Sequence, residues 1–83
     1  MLRQEAAIFL LRARHGANYT PPSCSGTVFS DVTTANPYCG WIEQLFVEKI
    51  TQGCGAGAYC PDQPTTRAQM AVLLARTFRL VNP

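Results

Sequence analysis

Pro61-Asp-Gln-Pro-Thr-Thr-Arg-Ala-Gln-Met-Ala-Val-Leu-Leu-Ala-Arg-Thr-Phe-Arg-Leu80 reads as a capped, amphipathic helix around which the rest of the chain is organised. Thr66 and Gln69 have the spacing of a capping box, in which each side chain satisfies a backbone donor of the first turn. Pro64 lies just outside as a breaker. Met70, Leu73, Leu74 and Phe78 recur at helical spacing, with Ala71 between them, while Arg67, Arg76 and Arg79 fall largely elsewhere. The pattern predicts one buried stripe and one wet face.

The same pattern occurs at the start of the chain. With Arg3 set against Arg67, Ala7 meets Ala71, Leu10 meets Leu74 and Arg12 meets Arg76. Ile8 facing Val72, Phe9 facing Leu73 and Glu5 facing Gln69 keep the character of their positions. A self-match at a spacing of about sixty residues is the mark of a repeat architecture, in which each unit leans on a neighbour to bury its apolar face. Leu2 stands where the capping Thr66 stands in the other copy, so Met1 is read as an internal methionine of a longer protein.

At 83 residues the chain is near the size at which one hydrophobic core barely offsets chain entropy, so a further constraint is expected. Four cysteines supply it, and their even number in a chain of low charge content fits an extracellular or otherwise oxidising setting. A net charge of +2 is too small to imply a polyanion partner. No run is long or apolar enough to span a bilayer, and the opening segment lacks a signal-peptide layout.

In chain order, residues Leu2 to Arg14 form a first helix whose Ala6, Ile8, Phe9, Leu10, Leu11 and Ala13 give a wide apolar surface, buried on more than one side. Gly16 stops it, and His15 sits favourably near the carbonyl end of the helix dipole. From Ala17 to Asn36 the composition turns to Thr, Pro, Ser, Gly and Asn, which is connection. Within it Phe29 and Val32 pin the loop to the core, and Asp31 holds the local turn by accepting backbone hydrogen bonds.

Asn36-Pro37 signals the start of a second helix, running to Lys49. Trp41, Ile42, Leu45, Phe46 and Ile50 are expected toward the core, and Glu43, Gln44 and Lys49 in water. Trp41 near the helix start suits core filling and, at a rim, sugar stacking. Gly53 closes that helix. Cys54 and Cys60 bracket a glycine-rich loop and are the easiest pair to join, leaving Cys24 with Cys39 to staple the long connection to the second helix. Four cysteines allow three connectivities, and bonds between chains as well.

The order of signals is specific: Phe29-x-Asp31-Val32, Trp41-Ile42 and Leu45 on a helix, Ile50-Thr51-x-Gly53, Tyr59-Cys60-Pro61, then Thr66-Arg67-Ala68-Gln69 opening a helix. This resembles the S-layer homology domain, from about Val28 to Phe78, with Leu2 to Arg14 similar to the closing helix of a preceding repeat. The Gly-Cys-loop-Tyr-Cys-Pro form looks like the disulfide-bearing variety of bacterial surface proteins. The resemblance implies an all-α, three-helix module with long loops and disulfide staples. Residues 1–16 would close one repeat and residues 17–83 form a full repeat, together a single compact domain. It further implies a non-enzymatic unit of cell-envelope proteins, used in tandem and often as an anchor to wall polysaccharide.

In that family the arginine of the Thr-Arg-Ala-Glu motif helps bind acidic, often pyruvylated, sugar at grooves between repeats. Arg67 and Arg3 match it, and a guanidinium grips a carboxylate by two hydrogen bonds. Trp41 and Tyr59 complete the glycan-binding candidates. Gln69 replaces the motif's acidic residue and Leu2 its threonine.

An enzyme is not expected, because no serine, histidine and acid constellation, phosphate-cradling loop or obvious carboxylate pair is readable, and no cofactor is implied. Zinc is not expected either, since no Cys-x-x-Cys occurs. A nucleic-acid partner would need a basic stripe.

Two readings remain. One is an extracellular structural subunit of a surface layer, tube or filament that assembles with copies of itself, through Leu73, Phe78, Leu80 and Val81. A head-to-tail interface of that kind propagates unless it closes to a ring. The other is a glycan-binding anchor. As a complete subunit a chain of this length has no room for a passenger domain, which favours assembly; as a segment of a longer protein it suits anchoring.

Overall fold

The computed structural model describes residues 1–78. Within them the chain forms α1 (Arg3–His15), α2 (Cys39–Val47) and α3 (Arg67–Thr77), and no strand. The architecture is all-α, with long connections and two disulfides.

The hub is α1, not the Pro61–Leu80 stretch. Both α2 and α3 pack on α1 and not on each other. Ala6, Ala7, Leu10 and Leu11 of α1 are buried in one cluster with Phe29, Val32, Ile42, Leu45, Ile50, Tyr59 and Leu73. Only one side of α1 is covered, however. Phe9 and Ala13, expected to add to a wide buried surface, are exposed.

Each helix has a local reason to start and stop where it does. At α1 the Leu2 amide donates to Glu5 Oε1 at 2.7 Å, half of a capping box, and Gly16 closes the last turn by donating to the Arg12 carbonyl at 2.8 Å. At α3 the box is complete: Gln69 N donates to Thr66 Oγ1 at 3.1 Å and Thr66 N donates to Gln69 Oε1 at 3.0 Å.

The second helix is shorter than the expected Asn36–Lys49. Asn36 Oδ1 accepts from Tyr38 N at 2.8 Å and its carbonyl accepts from Cys39 N at 3.0 Å, so Asn36 makes a turn ahead of the helix. At the other end Ile50 N reaches the Leu45 carbonyl at 2.9 Å and Lys49 N reaches that of Phe46 at 3.0 Å, with Lys49 at φ 62°. That pattern is a Schellman stop with a lysine in the left-handed position, and it carries Ile50 into the core.

Side-chain placement on α2 also departs from the sequence pattern. Ile42 and Leu45 are fully buried, Trp41 is half-buried, and Phe46 is exposed. Glu43, expected in water, is only 8% exposed. Its carboxylate accepts from Ser25 N at 2.8 Å and Gly26 N at 2.9 Å, so it clamps the incoming loop to the helix.

On α3 the expected stripe of Met70, Leu73, Leu74 and Phe78 is only partly buried. Leu73 and Thr77 face the core, Met70 and Leu74 are half-covered, and Phe78 is exposed.

Phe29 and Val32 do anchor the first connection in the core. Asp31, expected to hold its own turn, instead accepts from the amides of Tyr59 and Cys60, each at 2.8 Å. It therefore ties two loops that are distant in sequence. Cys24–Cys39 and Cys54–Cys60 are the disulfides, with Cα separations of 5.7 and 6.0 Å. In the chain-entropy account the first contributes about 3 kcal/mol, and the second, closing a shorter loop, somewhat less. Gly53 at φ 92° lies so close to the Ala58 carbonyl and the Phe29 ring that a Cβ there would collide with both.

Candidate functional site

The first four residues run beside residues 61–65: Arg3 N donates to the Gln63 carbonyl at 2.9 Å, Gln4 N to that of Pro61 at 3.1 Å, and Thr65 N to that of Met1 at 2.7 Å. This pairing sets the start of α1 against the start of α3. A groove of about 590 Å³ opens between them and the loop that follows α2, lined by Arg3, Thr51, Gln52, Gln69 and Arg76 among others.

Arg3 is held firmly in its wall. The residue is 6% exposed, Nε donates to the Tyr59 carbonyl at 2.7 Å, and the guanidinium lies 4.7 Å from the centre of the Tyr59 ring. Tyr59 returns the contact, its hydroxyl donating to the Arg3 carbonyl at 2.6 Å. Burial pushes the Tyr59 hydroxyl up to about 12, although the nearby Arg3 charge acts the other way. Arg76 reaches toward the Ile50 carbonyl at 3.4 Å, a long contact that leaves most of its donor capacity for the groove. Two guanidiniums and no carboxylate line this space, so its chemistry suits an anion.

The glycan-binding candidates are therefore not gathered at one place. Arg3 and Tyr59 form one unit, and Arg3 alone of the four lines the groove. Arg67 is exposed at the first position of α3 and outside the groove lining. Trp41 lies in a separate cleft with Pro21, Pro22 and the Cys24–Cys39 disulfide. There the Arg12 guanidinium sits 5.2 Å from its ring and Tyr19 meets it edge-on. Arg76, which the periodicity puts on the wet face with Arg67, is exposed and also lines the groove; its match with Arg12 in the internal repeat is the one sequence signal that marks it. Of the assembly candidates Leu73 is buried and Phe78 is exposed, while Leu80 and Val81 lie outside the described residues.

The ends of α1 and α2 are joined by a polar cluster. Arg14 Nη1 is 3.1 Å and His15 Nε2 is 2.9 Å from Glu48, and Gln44 Nε2 donates to it at 2.7 Å. Partial burial pushes the Glu48 carboxyl up, but the hydrogen bonds from Gln44 and His15 and the charges of His15 and Arg14 outweigh it, so the net direction is down. Tyr19 stacks on His15 at 4.4 Å between ring centres, and burial, then the Glu48 charge, push its hydroxyl up.

A metal has one set of approach atoms among the described residues, the sulfurs of Cys24 and Cys39 with the Glu43 carboxylate, all within 4.8 Å of one another. Both sulfurs are in the disulfide and the carboxylate already serves Ser25 and Gly26. The cluster is a loop clamp, since a thiolate is the form that ligates.

Over 50 residues the chain is 40% identical to a cell surface protein of Thermoanaerobacter kivui. The matched stretch is 60% of this chain and 7% of that protein, so the chain spans a small fraction of the relative's length. No protein-family model and no solved structure matches the chain. No helix among the described residues is long and apolar enough to cross a membrane.

Proposed function

We propose that this chain is a non-enzymatic, extracellular structural module of the S-layer homology type, part of a bacterial surface layer, tube or filament. It assembles by head-to-tail packing of repeat units, residues 1–16 closing one repeat and residues 17–83 forming the next. The likeness to a cell surface protein and the paired cysteines support the setting.

The observation that carries the assembly reading is the one-sided burial of α3. Only Leu73 and Thr77 are buried, while Val72 and Phe78 are each 48% exposed. Phe46 and Val47 of α2 also stand in water. Large apolar side chains left in water on α2 and α3 suit interaction surfaces, and a repeat module requires its neighbour to cover such faces.

Light scattering of the oxidised chain over a concentration series tests this reading. Species that grow with concentration, and are lost in Phe78→Asp, are expected. A persistent monomer would reject spontaneous assembly by this chain.

A second reading, anchoring to an acidic, pyruvylated wall glycan, is favoured by the groove that Arg3 and Arg76 line without a carboxylate. Binding of pyruvylated wall polysaccharide, weakened in Arg76→Ala and measured beside Arg67→Ala, is its test.

A further inference from the structure

The two disulfides differ in what surrounds them. Cys24–Cys39 joins a half-buried cysteine to one buried at the start of α2, and the Cys39 sulfur lies 3.7 Å from the Glu43 carboxylate. A thiolate approaching that bond meets a negative charge. Around Cys54–Cys60 the setting is the reverse. Cys54, Gly55, Ala56 and Gly57 are all exposed, and Cys54 lines the groove that carries Arg3 and Arg76 and no carboxylate. Positive charge attracts an incoming thiolate and stabilises a departing one.

The second disulfide also ends at a special point of the backbone. Cys60 has φ 59°, in the left-handed region that an L side chain rarely enters. The peptide unit joining Tyr59 to Cys60 is gripped from two sides: its carbonyl accepts from Arg3 Nε at 2.7 Å, and its N–H donates to Asp31 Oδ2 at 2.8 Å. Rotating this unit to bring Cys60 back to negative φ turns both groups away from their partners.

We infer that Cys54–Cys60 is a reactive disulfide whose co-substrate is a dithiol, and that the bond latches the Arg3 wall of the groove. One thiolate of the dithiol attacks the exposed Cys54 sulfur, forming a mixed disulfide and releasing Cys60 as a thiolate, which takes a proton. The second thiolate of the dithiol then closes on its partner sulfur. The dithiol leaves as a disulfide, Cys54 becomes the second thiol, and two electrons have passed to the cysteine pair. Cys60, no longer tethered, leaves the left-handed region, and Arg3 Nε loses its acceptor. The core beneath stays packed, because the buried Tyr59 ring and the bond from its hydroxyl to the Arg3 carbonyl do not pass through the rotated unit. Reduction therefore frees a guanidinium in the groove without unfolding the chain.

The test treats the oxidised chain with dithiothreitol, quenches by alkylation and identifies the opened cysteines by mass spectrometry over time. Cys54 and Cys60 should be labelled roughly tenfold or more faster than Cys24 and Cys39. When only the first pair is open, NMR should find the Arg3 Nε–H, slow to exchange in the oxidised chain, exchanging freely, with the Leu10 and Ile42 amides still protected. Cys54→Ser with Cys60→Ser should behave as the reduced chain. Cys54→Ser with Cys60→Gly should restore slow exchange at Arg3 Nε–H, since glycine holds positive φ without a Cβ. Equal labelling of the two pairs, or faster labelling of Cys24 and Cys39, would overturn the assigned reactivity. An Arg3 Nε–H that stays slow once Cys54–Cys60 is open, or is lost only together with the Leu10 and Ile42 amides, would overturn the latch.

Discussion

Arg3 and Tyr59 hold each other through two reciprocal hydrogen bonds, side chain to carbonyl in each direction, at 2.7 and 2.6 Å. The pair locks the start of α1 to the loop just before Cys60, and so fixes one wall of the groove. Its repeat counterpart, Arg67, has the same place on its helix and is exposed.

Arg3→Ala should therefore destabilise the chain by about 1–3 kcal/mol, the cost of leaving a buried carbonyl without its donor. Arg67→Ala should stay within about 0.5 kcal/mol. Urea unfolding of the two variants side by side measures the contrast, and equal losses would contradict the difference in burial.

Tyr59 should ionise well above the ordinary tyrosine value. Its folded value is raised from 10.0 to about 12, so the folded state favours the protonated form. That contribution is complete below the ordinary value and is lost as pH rises through the folded one. In an ultraviolet titration, the tyrosinate signal of this residue should develop together with unfolding and vanish in Tyr59→Phe.

At the acid end the relevant group is Glu48, whose folded value lies below its ordinary 4.5. A lowered carboxyl contributes stability above its unfolded value, lost as pH falls through the folded one. Glu48→Gln should lower the melting temperature most at neutral pH, where the contribution is complete, and converge with the parent chain as pH falls below 4.5, so that the acid limb of the profile is flatter.

Removing the loop clamp with Glu43→Ala should cost about 1.5–3 kcal/mol, the range for hydrogen bonds to a charged group. The readout specific to the clamp is faster exchange of the Ser25 and Gly26 amides, which donate to this carboxylate, at unchanged disulfide content.

Lys49 occupies the left-handed position that ends α2, at φ 62°. Lys49→Gly should stabilise the chain by about 0.5–1 kcal/mol because glycine adopts that conformation without a Cβ clash. Gly53→Ala should do the opposite, since its Cβ would meet the Ala58 carbonyl and the Phe29 ring. Thermal melts of the pair give both signs.

Local chemistry carried much of the fold in the sequence. The Thr66–Gln69 box, the Gly16 stop and the anchoring of Phe29 and Val32 were all readable, because each depends on residues a few positions apart or on a short apolar island. The pairs Cys54–Cys60 and Cys24–Cys39 were the simplest of three connectivities for the same reason. Glu43 was not readable as a buried group, since its partners Ser25 and Gly26 lie on a loop that only folding brings to α2. Asp31 likewise signalled a turn, and its acceptor role was right while its donors, Tyr59 and Cys60, were out of reach of any local rule.

The sequence by itself determined three helices, the Thr66–Gln69 cap of α3, the Gly16 stop of α1 and the likeness of α1 to α3, because helix formation and repeat identity are written in periodicity and short-range bonds. Only the tertiary structure decided which face of each helix is dry, and therefore that Arg3 is a groove wall while Arg67 stands in solvent. The physical reason is that burial belongs to a pair of surfaces: two nearly equivalent helices meet different neighbours, and the free energy of an identical side chain follows the neighbour it meets.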